Sequence, residues 1–235
     1  MNPPTWMRLA VPKPVRNLLR PVFYRLQTKI VYSKDFYEKD YHGGIYRLPG
    51  RDLADLMTEW EGMGWKDMLF RVVDSIHSPF APATFLEVAC HHGKTAFWLA
   101  ERFPKTRFYM FDFSRTAVEF CQRHNPIPER SEIWQGDVSD IRHGSNQFND
   151  FFEAATLLDV TEHLPQDLYH AAIRETYRVL RPGGYLLLKQ GHEILPEHIN
   201  ILSERQLVQD FCAHGFQLVQ ALPDRHHLLR KPHAA

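Results

Sequence analysis

From Phe85 onward, short apolar segments alternate with longer segments of helical periodicity. The predicted strands are 85–89, 107–111, 131–134, 151–157 and 185–189, and the predicted helices between them are 94–102, 116–123 and 168–180. A repeated strand, helix, strand order requires crossover connections and gives a parallel sheet. This alternation therefore predicts an α/β fold.

The pattern changes after the fifth predicted strand. A helix over 204–214 is followed by Gly215 and by two strands, 216–220 and 227–230, which a short loop joins. Strands joined in this way pair antiparallel. We therefore expect a seven-stranded, mostly parallel sheet with a terminal antiparallel strand pair. We also expect Pro182-Gly183-Gly184 to stop the preceding helix.

Residues 1–80 are predicted to form an N-terminal basic segment and a helical cap, and residues 81–235 the main domain. Before Asp35 the chain has no acidic residue, and apolar residues recur there at helical spacing. We interpret this segment as a helix packed on the domain, with a solvated basic face. The alternative is weak contact of residues 8–34 with an anionic membrane surface. Further helices are expected at 52–60 and 65–76.

The overall charge and the cysteine content exclude several classes of protein. Lys plus Arg and Asp plus Glu both total 28, so net charge provides no general attraction to nucleic acid. The three cysteines are too scattered for a disulfide framework or a paired-cysteine zinc site. No apolar run approaches the roughly 20 residues that span a bilayer. We expect a cytoplasmic protein and predict no oligomeric state.

The turn Glu87-Val-Ala-Cys-His-His-Gly93 joins the first predicted strand to its helix. In open α/β sheets, ligands bind beyond the carboxyl ends of the strands, so this turn is expected to form the floor of a pocket. Asp112 ends the second strand about 20 residues later, where an acid reaches ribose hydroxyls. Asp137 ends the third strand, where a carboxylate can accept a hydrogen bond from an adenine amino group.

Five segments in this order resemble the class I S-adenosylmethionine-dependent methyltransferase family. The family's acid-x-Gly-x-Gly-x-Gly turn is matched at Glu87, Ala89, His91 and Gly93. The other four matches are Asp112 with Ser114, Gly136-Asp137-Val138, Leu158-Asp-Val-Thr-Glu-His-Leu164 and Leu180-Arg-Pro-Gly-Gly-Tyr-Leu-Leu-Leu188. The resemblance covers residue 85 to about 232. It implies a Rossmann-like fold, S-adenosyl-L-methionine as cofactor and methyl transfer as the activity.

The resemblance also implies a role for each matched residue. Asp112 would hold the ribose hydroxyls and Phe113 would pack on adenine, while Asp137 and the backbone at Val138 would read the adenine edge. The methionine end would be held by Glu87, by the turn through Ala89, His91 and Gly93, and by the backbone at Leu158. Tyr37 and Tyr41 resemble aromatic lid residues that fold over the cofactor.

Two departures from the family turn bear on cofactor binding. Ala89 and His91 replace glycines that let the backbone approach the ligand. The ring of His91 is expected near the methionine end, where it would line the pocket or weaken binding. These departures leave one alternative function open, a non-catalytic binding module that kept the fold and lost the cofactor. Measuring cofactor binding separates the two functions.

Two other nucleotide-binding motifs are excluded by single residues. Gly93-Lys94-Thr95 resembles the end of a P-loop, but the position that requires its first glycine is Val88. A dinucleotide-binding turn would need glycine at Lys94. Neither a P-loop nor a dinucleotide-binding turn is therefore expected.

The expected reaction is methyl transfer to an oxygen or nitrogen of a small metabolite or saccharide, as in small-molecule biosynthesis. His192, which follows the fifth strand beside Glu193, is a candidate general base. His163 is the second catalytic candidate and is more typical of a structural residue. A nucleic-acid acceptor is not expected, because no Asn-Pro-Pro-Tyr-type motif follows the fourth strand. No metal is expected, because Cys90-His91-His92 and His226-His227 lack a third ligand at diagnostic spacing.

Overall fold

The structure is a computed structural model that describes residues 53–77, 80–193 and 198–233. The basic segment, with its expected membrane contact at residues 8–34, lies outside the described residues. So do Tyr37 and Tyr41, and the lid role expected of them stays a prediction.

The described residues form seven strands and six helices of nine residues or more. The strands are β1 (Thr84–Val88), β2 (Arg107–Asp112), β3 (Ser131–Gln135), β4 (Phe152–Leu158), β5 (Leu180–Lys189), β6 (Gln217–Ala221) and β7 (His227–Arg230). The helices are α1 (Leu53–Gly62), α2 (Trp65–Asp74), α3 (Lys94–Arg102), α4 (Arg115–Arg123), α5 (Gln166–Val179) and α6 (Glu204–Ala213). Single 3-10 turns occur at Pro128–Arg130, Thr161–His163 and Pro223–Arg225.

All seven strands belong to one sheet, in the order β3-β2-β1-β4-β5-β7-β6. The pairs from β3 to β5 are parallel, and β7 is antiparallel to both β5 and β6. The predicted mostly parallel sheet with a terminal antiparallel pair is confirmed. The strand order reverses between β1 and β4, and a crevice forms beyond the carboxyl ends of the strands at such a point.

The junction of α5 and β5 differs from the prediction. The helix ends at Val179, and β5 begins at Leu180 and continues through Pro182-Gly183-Gly184, which were expected to form a turn that stops the helix. Long-range contacts cause the difference. The backbone N–H of Gly183 donates to the carbonyl of Lys231, and the N–H of Lys231 donates to Gly184. The Lys231 ammonium also donates to the carbonyl of Leu180.

The described cap helices pack on the sheet and share its core. Trp60 of α1 and Leu69, Val72 and Val73 of α2 are buried in one cluster with residues of β1, β2 and α3. Fully burying side chains of this kind contributes about 1.5–3 kcal/mol each. A second cluster, on α5 and α6, includes Tyr169 and Phe211. The boundary predicted at residue 80 separates segments that are joined by packing, and it stays a prediction.

Candidate active site

A cavity of about 930 Å³ lies at the carboxyl ends of the parallel strands. Its volume is near the upper end of the roughly 300–1,000 Å³ that ligand pockets occupy. Ten of the residues predicted from the sequence line it: Glu87, Ala89, His91, Asp112, Phe113, Asp137, Val138, Leu158, His163 and His192. The structure therefore brings together side chains from five segments of the chain.

The turn between β1 and α3 keeps left-handed backbone where the family has glycine. Ala89 and His91 both have φ 54°, and Gly93 has φ 78°. A side chain in this conformation costs roughly 1–2 kcal/mol, so the surrounding contacts must offset that strain. One such contact is the hydrogen bond from the N–H of Cys90 to the carbonyl of Phe111, at 2.8 Å. The turn thus adopts left-handed backbone at two residues that have side chains, in positions where the family pattern has glycine.

Gly93 is the one position of this turn where space also demands glycine. A Cβ there would lie 2.7 Å from the sulfur of Cys121 and 2.8 Å from the ring of Phe97. Gly93 is the N-cap of α3, and its close approach seats that helix against α4. Its predicted contact with the cofactor would be made by backbone, because Gly93 packs behind the cavity wall.

Glu87 is buried at the start of α3. Its carboxylate accepts a hydrogen bond of 2.9 Å from the N–H of Ala96 in the first turn of the helix. Burial raises the pKa of Glu87 to about 7, and the hydrogen bonds from Ala96 and Thr95 only partly oppose that shift. Glu87 therefore caps a helix while it also faces the cavity.

Asp112 joins the two turns on which the cavity is built. Its Oδ2 accepts from the N–H of His91 at 2.8 Å, and its Oδ1 accepts from the N–H of Ser114 at 2.9 Å. Ser114 in turn caps α4, accepting from the N–H of Ala117 at 3.1 Å. These bonds fix both carboxylate oxygens of Asp112 at the edge of the cavity.

The segment after β3 forms a side wall. The Oδ1 of Asp137 accepts from both the N–H and the hydroxyl of Ser139, at 2.9 and 2.7 Å. The carbonyl of Phe113 accepts from the Gln135 side chain at 2.9 Å. These bonds hold Asp137, Val138 and Phe113 in adjacent loops at the cavity edge.

The cap contributes residues that the sequence did not single out. Trp60 stacks on His92, with ring centroids 3.7 Å apart. The ammonium of Lys94 lies 3.9 Å from the ring centroid of Trp65 and 5.0 Å from that of Trp60. Burial lowers the pKa of Lys94 to about 8. The sequence signal for Lys94 is its position as the first residue of the helix that follows the family turn.

Beyond β4 and β5 lies a second polar group of residues. The Lys189 ammonium pairs with Asp159 at 2.6 Å. Glu162 is buried, and one of its oxygens accepts from the N–H of Gly191 at 2.8 Å. Burial raises the pKa of Glu162 to about 7. Glu162 was part of a segment matched to the family, but no role was predicted for it.

The two predicted catalytic histidines lie on different parts of this rim. His192 is exposed, and its backbone N–H donates to the Glu193 carboxylate at 3.2 Å. His163 is half-buried and faces the ring of His198, with centroids 4.8 Å apart. His198 was missed, because no motif marks it. Its position depends on hydrogen bonds from Ile199 and Asn200 to the carbonyl of Glu162.

A sheet of this order, with acids at the carboxyl ends of β1, β2 and β3 around one cavity, defines a Rossmann-like methyltransferase domain. The protein family described as methyltransferase domain matches residues 85–184. Phosphoethanolamine N-methyltransferase 2 of Haemonchus contortus, in complex with S-adenosyl-L-methionine, superposes with a TM-score of 0.53 at 16% identity. The match covers 64% of this chain and 36% of that chain, and it shows the fold. Residues 85–184 therefore match a methyltransferase domain, and the fold is that of the class I S-adenosylmethionine-dependent methyltransferases.

Curated relatives match somewhat less than half of the chain. Fatty-acid O-methyltransferase of Mycolicibacterium smegmatis is 34% identical over 102 residues, which are 43% of this chain and 35% of that protein. The tRNA N(3)-cytidine methyltransferase METTL6 of Homo sapiens is 29% identical over 108 residues, which are 45% of this chain and 38% of that protein. The chain spans less than half the length of the curated relatives it matches. Within the described residues, no helix is both long and apolar enough to cross a membrane.

Proposed function

We propose that this protein transfers a methyl group from S-adenosylmethionine to an oxygen or nitrogen of a small metabolite or saccharide. The observation that carries the proposal is the convergence of Glu87, Asp112 and Asp137 on one cavity. Each ends or follows a neighbouring parallel strand, and each lies where the family pattern assigns a cofactor contact. A cavity of about 930 Å³ has room for a cofactor and an acceptor together.

The residues present fit the cofactor. Asp112 is buried at the carboxyl end of β2, and two backbone donors fix its carboxylate at the cavity, where the family pattern places the ribose. Asp137 and Val138 stand on the adjoining loop, and Glu87 with the left-handed turn stands on the other side. We assign the ribose to Asp112, the adenine to Phe113, Asp137 and Val138, and the methionine end to the turn and Leu158. When bound, the cofactor supplies an electrophilic methyl group on a sulfonium.

The chain contributes orientation, exclusion of water and a proton acceptor. Trp60 and Trp65 cover the side of the cavity that faces the cap, which limits access of water to the methyl group. With the cofactor bound, transfer would form a bond from the acceptor atom to the methyl carbon and break the carbon–sulfur bond, whose electron pair would stay on sulfur. If the acceptor is a hydroxyl, its proton must leave in the same step. We assign that proton to His192, with Glu193 as its neighbour.

An acceptor group carried on an apolar chain is a second candidate. Met68, Leu69, Leu164 and Leu168 line the cavity and supply an apolar surface. The similarity to a fatty-acid O-methyltransferase favours the same class of acceptor. Since relatives that act on tRNA match as well, the expectation that nucleic acid is not a partner stays a prediction.

Titration calorimetry with S-adenosylmethionine and with its demethylated product tests the proposal. Wild-type protein should bind both, and Asp112→Asn should weaken both about tenfold or more, because it removes charge-assisted hydrogen bonds. Asp140→Asn, at an exposed carboxylate paired with Arg142, is the control and should bind as wild type does. Absence of heat with wild-type protein at millimolar ligand would overturn the proposal and favour the non-catalytic binding module.

A further inference from the structure

Three potential metal ligands, from two segments of the chain, meet on the rim of the cavity. Glu162 and His163 belong to the 3-10 turn after β4, and His198 belongs to the loop after β5. Their ligand atoms, one carboxylate oxygen and two imidazole nitrogens, all lie within 4.8 Å of one another. All three residues also line the cavity assigned to cofactor and acceptor.

Glu162 is held with one carboxylate oxygen committed and the other unused. The residue is 1% exposed, and its Oε1 accepts from the N–H of Gly191. Its Oε2 is buried and has no hydrogen-bond partner among the described residues. A buried oxygen left unpaired loses its hydrogen bonds to water without replacement, and the loss is larger when the group is charged. A bound cation would supply the missing partner.

The neighbouring backbone is shaped to this carboxylate. A Cβ at Gly191 would overlap the Oε1 of Glu162 and would lie 3.2 Å from the ring of His198. The carbonyl of Glu162 accepts from the N–H groups of Ile199 and Asn200, at 2.8 and 3.0 Å. The same residue thus offers a carboxylate oxygen and anchors the loop that brings His198 to it.

His198 has the hydrogen bond that metal-binding histidines typically have. Its Nδ1 lies 2.7 Å from the carbonyl oxygen of Glu193. A carbonyl only accepts, so Nδ1 carries the proton and the Nε2 of the neutral ring has the lone pair. In metal sites the ligating histidine donates its other N–H to a backbone carbonyl or a carboxylate, which fixes the tautomer and the ring orientation.

We propose that Glu162, His163 and His198 bind one divalent first-row transition-metal cation, Zn²⁺ or Mn²⁺, at the edge of the cavity. Two imidazoles and one carboxylate suit such ions. Three protein ligands leave at least one coordination position open, as in catalytic zinc sites. That position faces the cavity. We assign the open coordination position to the acceptor hydroxyl, which the cation would orient and polarise. This assignment rests on the proposed function.

The spacing of the ligand atoms is compatible with one ion. Zinc bonds of about 2.0–2.2 Å to nitrogen and oxygen place tetrahedral ligands about 3.4 Å apart. Ligand atoms that start within 4.8 Å of one another reach this spacing by small side-chain rotations. The competing structural role, in which His163 and His198 only pack edge to face, requires no ion and leaves the Glu162 oxygen without a partner.

The metal titration uses the full chain and no cofactor. Chelator-treated protein is titrated with Zn²⁺ by calorimetry and with Mn²⁺ by electron paramagnetic resonance. We expect saturable binding of one ion per chain, weakened at least tenfold in both Glu162→Gln and His198→Ala. His170→Ala is the matched control, because His170 stacks on His214, with centroids 5.4 Å apart, outside the cavity. It should bind metal as wild type does.

Two results would overturn the proposal. One is the absence of saturable binding below millimolar Zn²⁺ and Mn²⁺. The other is equal affinity in wild type, His198→Ala and His170→Ala. Circular dichroism checks that each variant is folded. If Glu162→Gln is unfolded, the metal affinity of His198→Ala tests the proposal. Cofactor binding is measured separately, so failure of the methyltransferase proposal would appear there and leave the metal result standing.

Discussion

At the scale of single residues, the burial of Glu87 has a consequence for stability. The pKa of this carboxyl is about 7 in the folded protein, against 4.5 for an ordinary glutamate. Between these values the folded state binds a proton that the unfolded state has released. The contribution of Glu87 to the free energy of unfolding is therefore complete below pH 4.5 and is lost as the pH rises through 7. The loss is on the order of 3 kcal/mol.

We expect Glu87→Gln to remove this pH dependence, because the amide stays neutral and its oxygen can still accept from Ala96. Urea unfolding of wild type and variant at pH 5 and pH 8, without cofactor, measures the effect. The stability of wild type relative to the variant should be lower at pH 8 than at pH 5. Glu129→Gln, at an exposed carboxylate, should follow wild type. A variant with the wild-type pH profile would show that Glu87 is ionised in the folded protein at both pH values.

His192 gives the second prediction at this scale. It stands on the exposed cavity rim next to Glu193, and its ring is assigned to the proton of a hydroxyl acceptor. We expect His192→Ala to lower kcat about 10²-fold or more, while cofactor affinity stays within about twofold. Steady-state kinetics with an identified acceptor and calorimetry with the cofactor measure the two effects.

His124→Ala, at the end of α4, is the control for His192 and should leave kcat unchanged. Wild-type turnover in His192→Ala would exclude this base. It would favour a nitrogen or carboxylate acceptor, which needs no base in the chain, or activation of the acceptor by the proposed metal.

Single residues also show what local sequence leaves undetermined. The turn from Glu87 to Gly93 was recognisable by its position and its acids. The left-handed backbone of Ala89 and His91 was not recognisable from residue type, because residues with a side chain disfavour this conformation and the family pattern places glycine at both positions. The reason is tertiary: the His91 N–H donates to Asp112, a residue on the next strand, and that bond stabilises a conformation that propensity alone disfavours.

At the scale of elements, α2 and α3 begin in the same way and differ in what surrounds the first residue. Gly64 has φ 76° and Gly93 has φ 78°, and neither glycine, as the N-cap residue, supplies a side-chain hydrogen bond to its helix. A Cβ at Gly64 would meet nothing within 4 Å, whereas one at Gly93 would overlap Cys121 and Phe97. Comparing the same substitution at Gly64 and at Gly93 therefore separates the cost of backbone strain from the cost of steric overlap.

We expect Gly64→Ala to cost roughly 1–2 kcal/mol, the strain of left-handed alanine. Gly93→Ala should cost about 1–3 kcal/mol more, the penalty typical of overpacking a core. The free energies of unfolding from urea titration give the difference. Equal costs would mean that α3 and α4 separate easily to admit a methyl group. Since Gly93 lies in the cofactor turn, its variant should also lose affinity for the cofactor, and Gly64→Ala should not.

Elements could be predicted where one period dominates the sequence. The helix over 94–102 has the predicted bounds, and the strand bounds were within one residue for β1 to β4. The start of β5 was not predictable from Pro182-Gly183-Gly184, which locally favours a turn. Pairing with β4 and the hydrogen bonds to Lys231 extend the strand there. Both partners are distant in sequence, so no local pattern contains the information.

At the scale of the whole molecule, local sequence predicts one part of the site, and long-range contacts determine the other part. The part attributed to the cofactor follows the carboxyl ends of β1, β2 and β3, and the residues predicted there from the sequence line the cavity, while their contacts with the cofactor stay predictions. The part attributed to the acceptor and the metal depends on which loops meet across β4 and β5. Glu162 and His198 are neighbours because of backbone bonds between segments that carry no motif for this contact. Trp60 reaches the cavity because α1 packs on the domain core.

Because residues of α1, α2 and the family turn line one cavity, cofactor binding should stabilise the molecule and its cap together. At 100 times the dissociation constant, a ligand adds about 2.7 kcal/mol to the free energy of unfolding. For a chain of this size, that raises Tm by roughly 5–10 °C. Calorimetry with and without the demethylated cofactor measures the shift, which Asp112→Asn should reduce at the same ligand concentration.

The cap should respond to the same ligand in hydrogen exchange. Trp60, Trp65 and Met68 line the cavity, so residues 53–74 should gain protection when the demethylated cofactor binds. The matched segment is α6, Glu204–Ala213, which packs on the other core cluster and contributes no residue to the cavity. Its gain should be smaller than that of the cap. A rise in Tm with equal protection in both segments would mean that the ligand stabilises the fold as a whole, and that α1 and α2 pack on the domain without closing over the site.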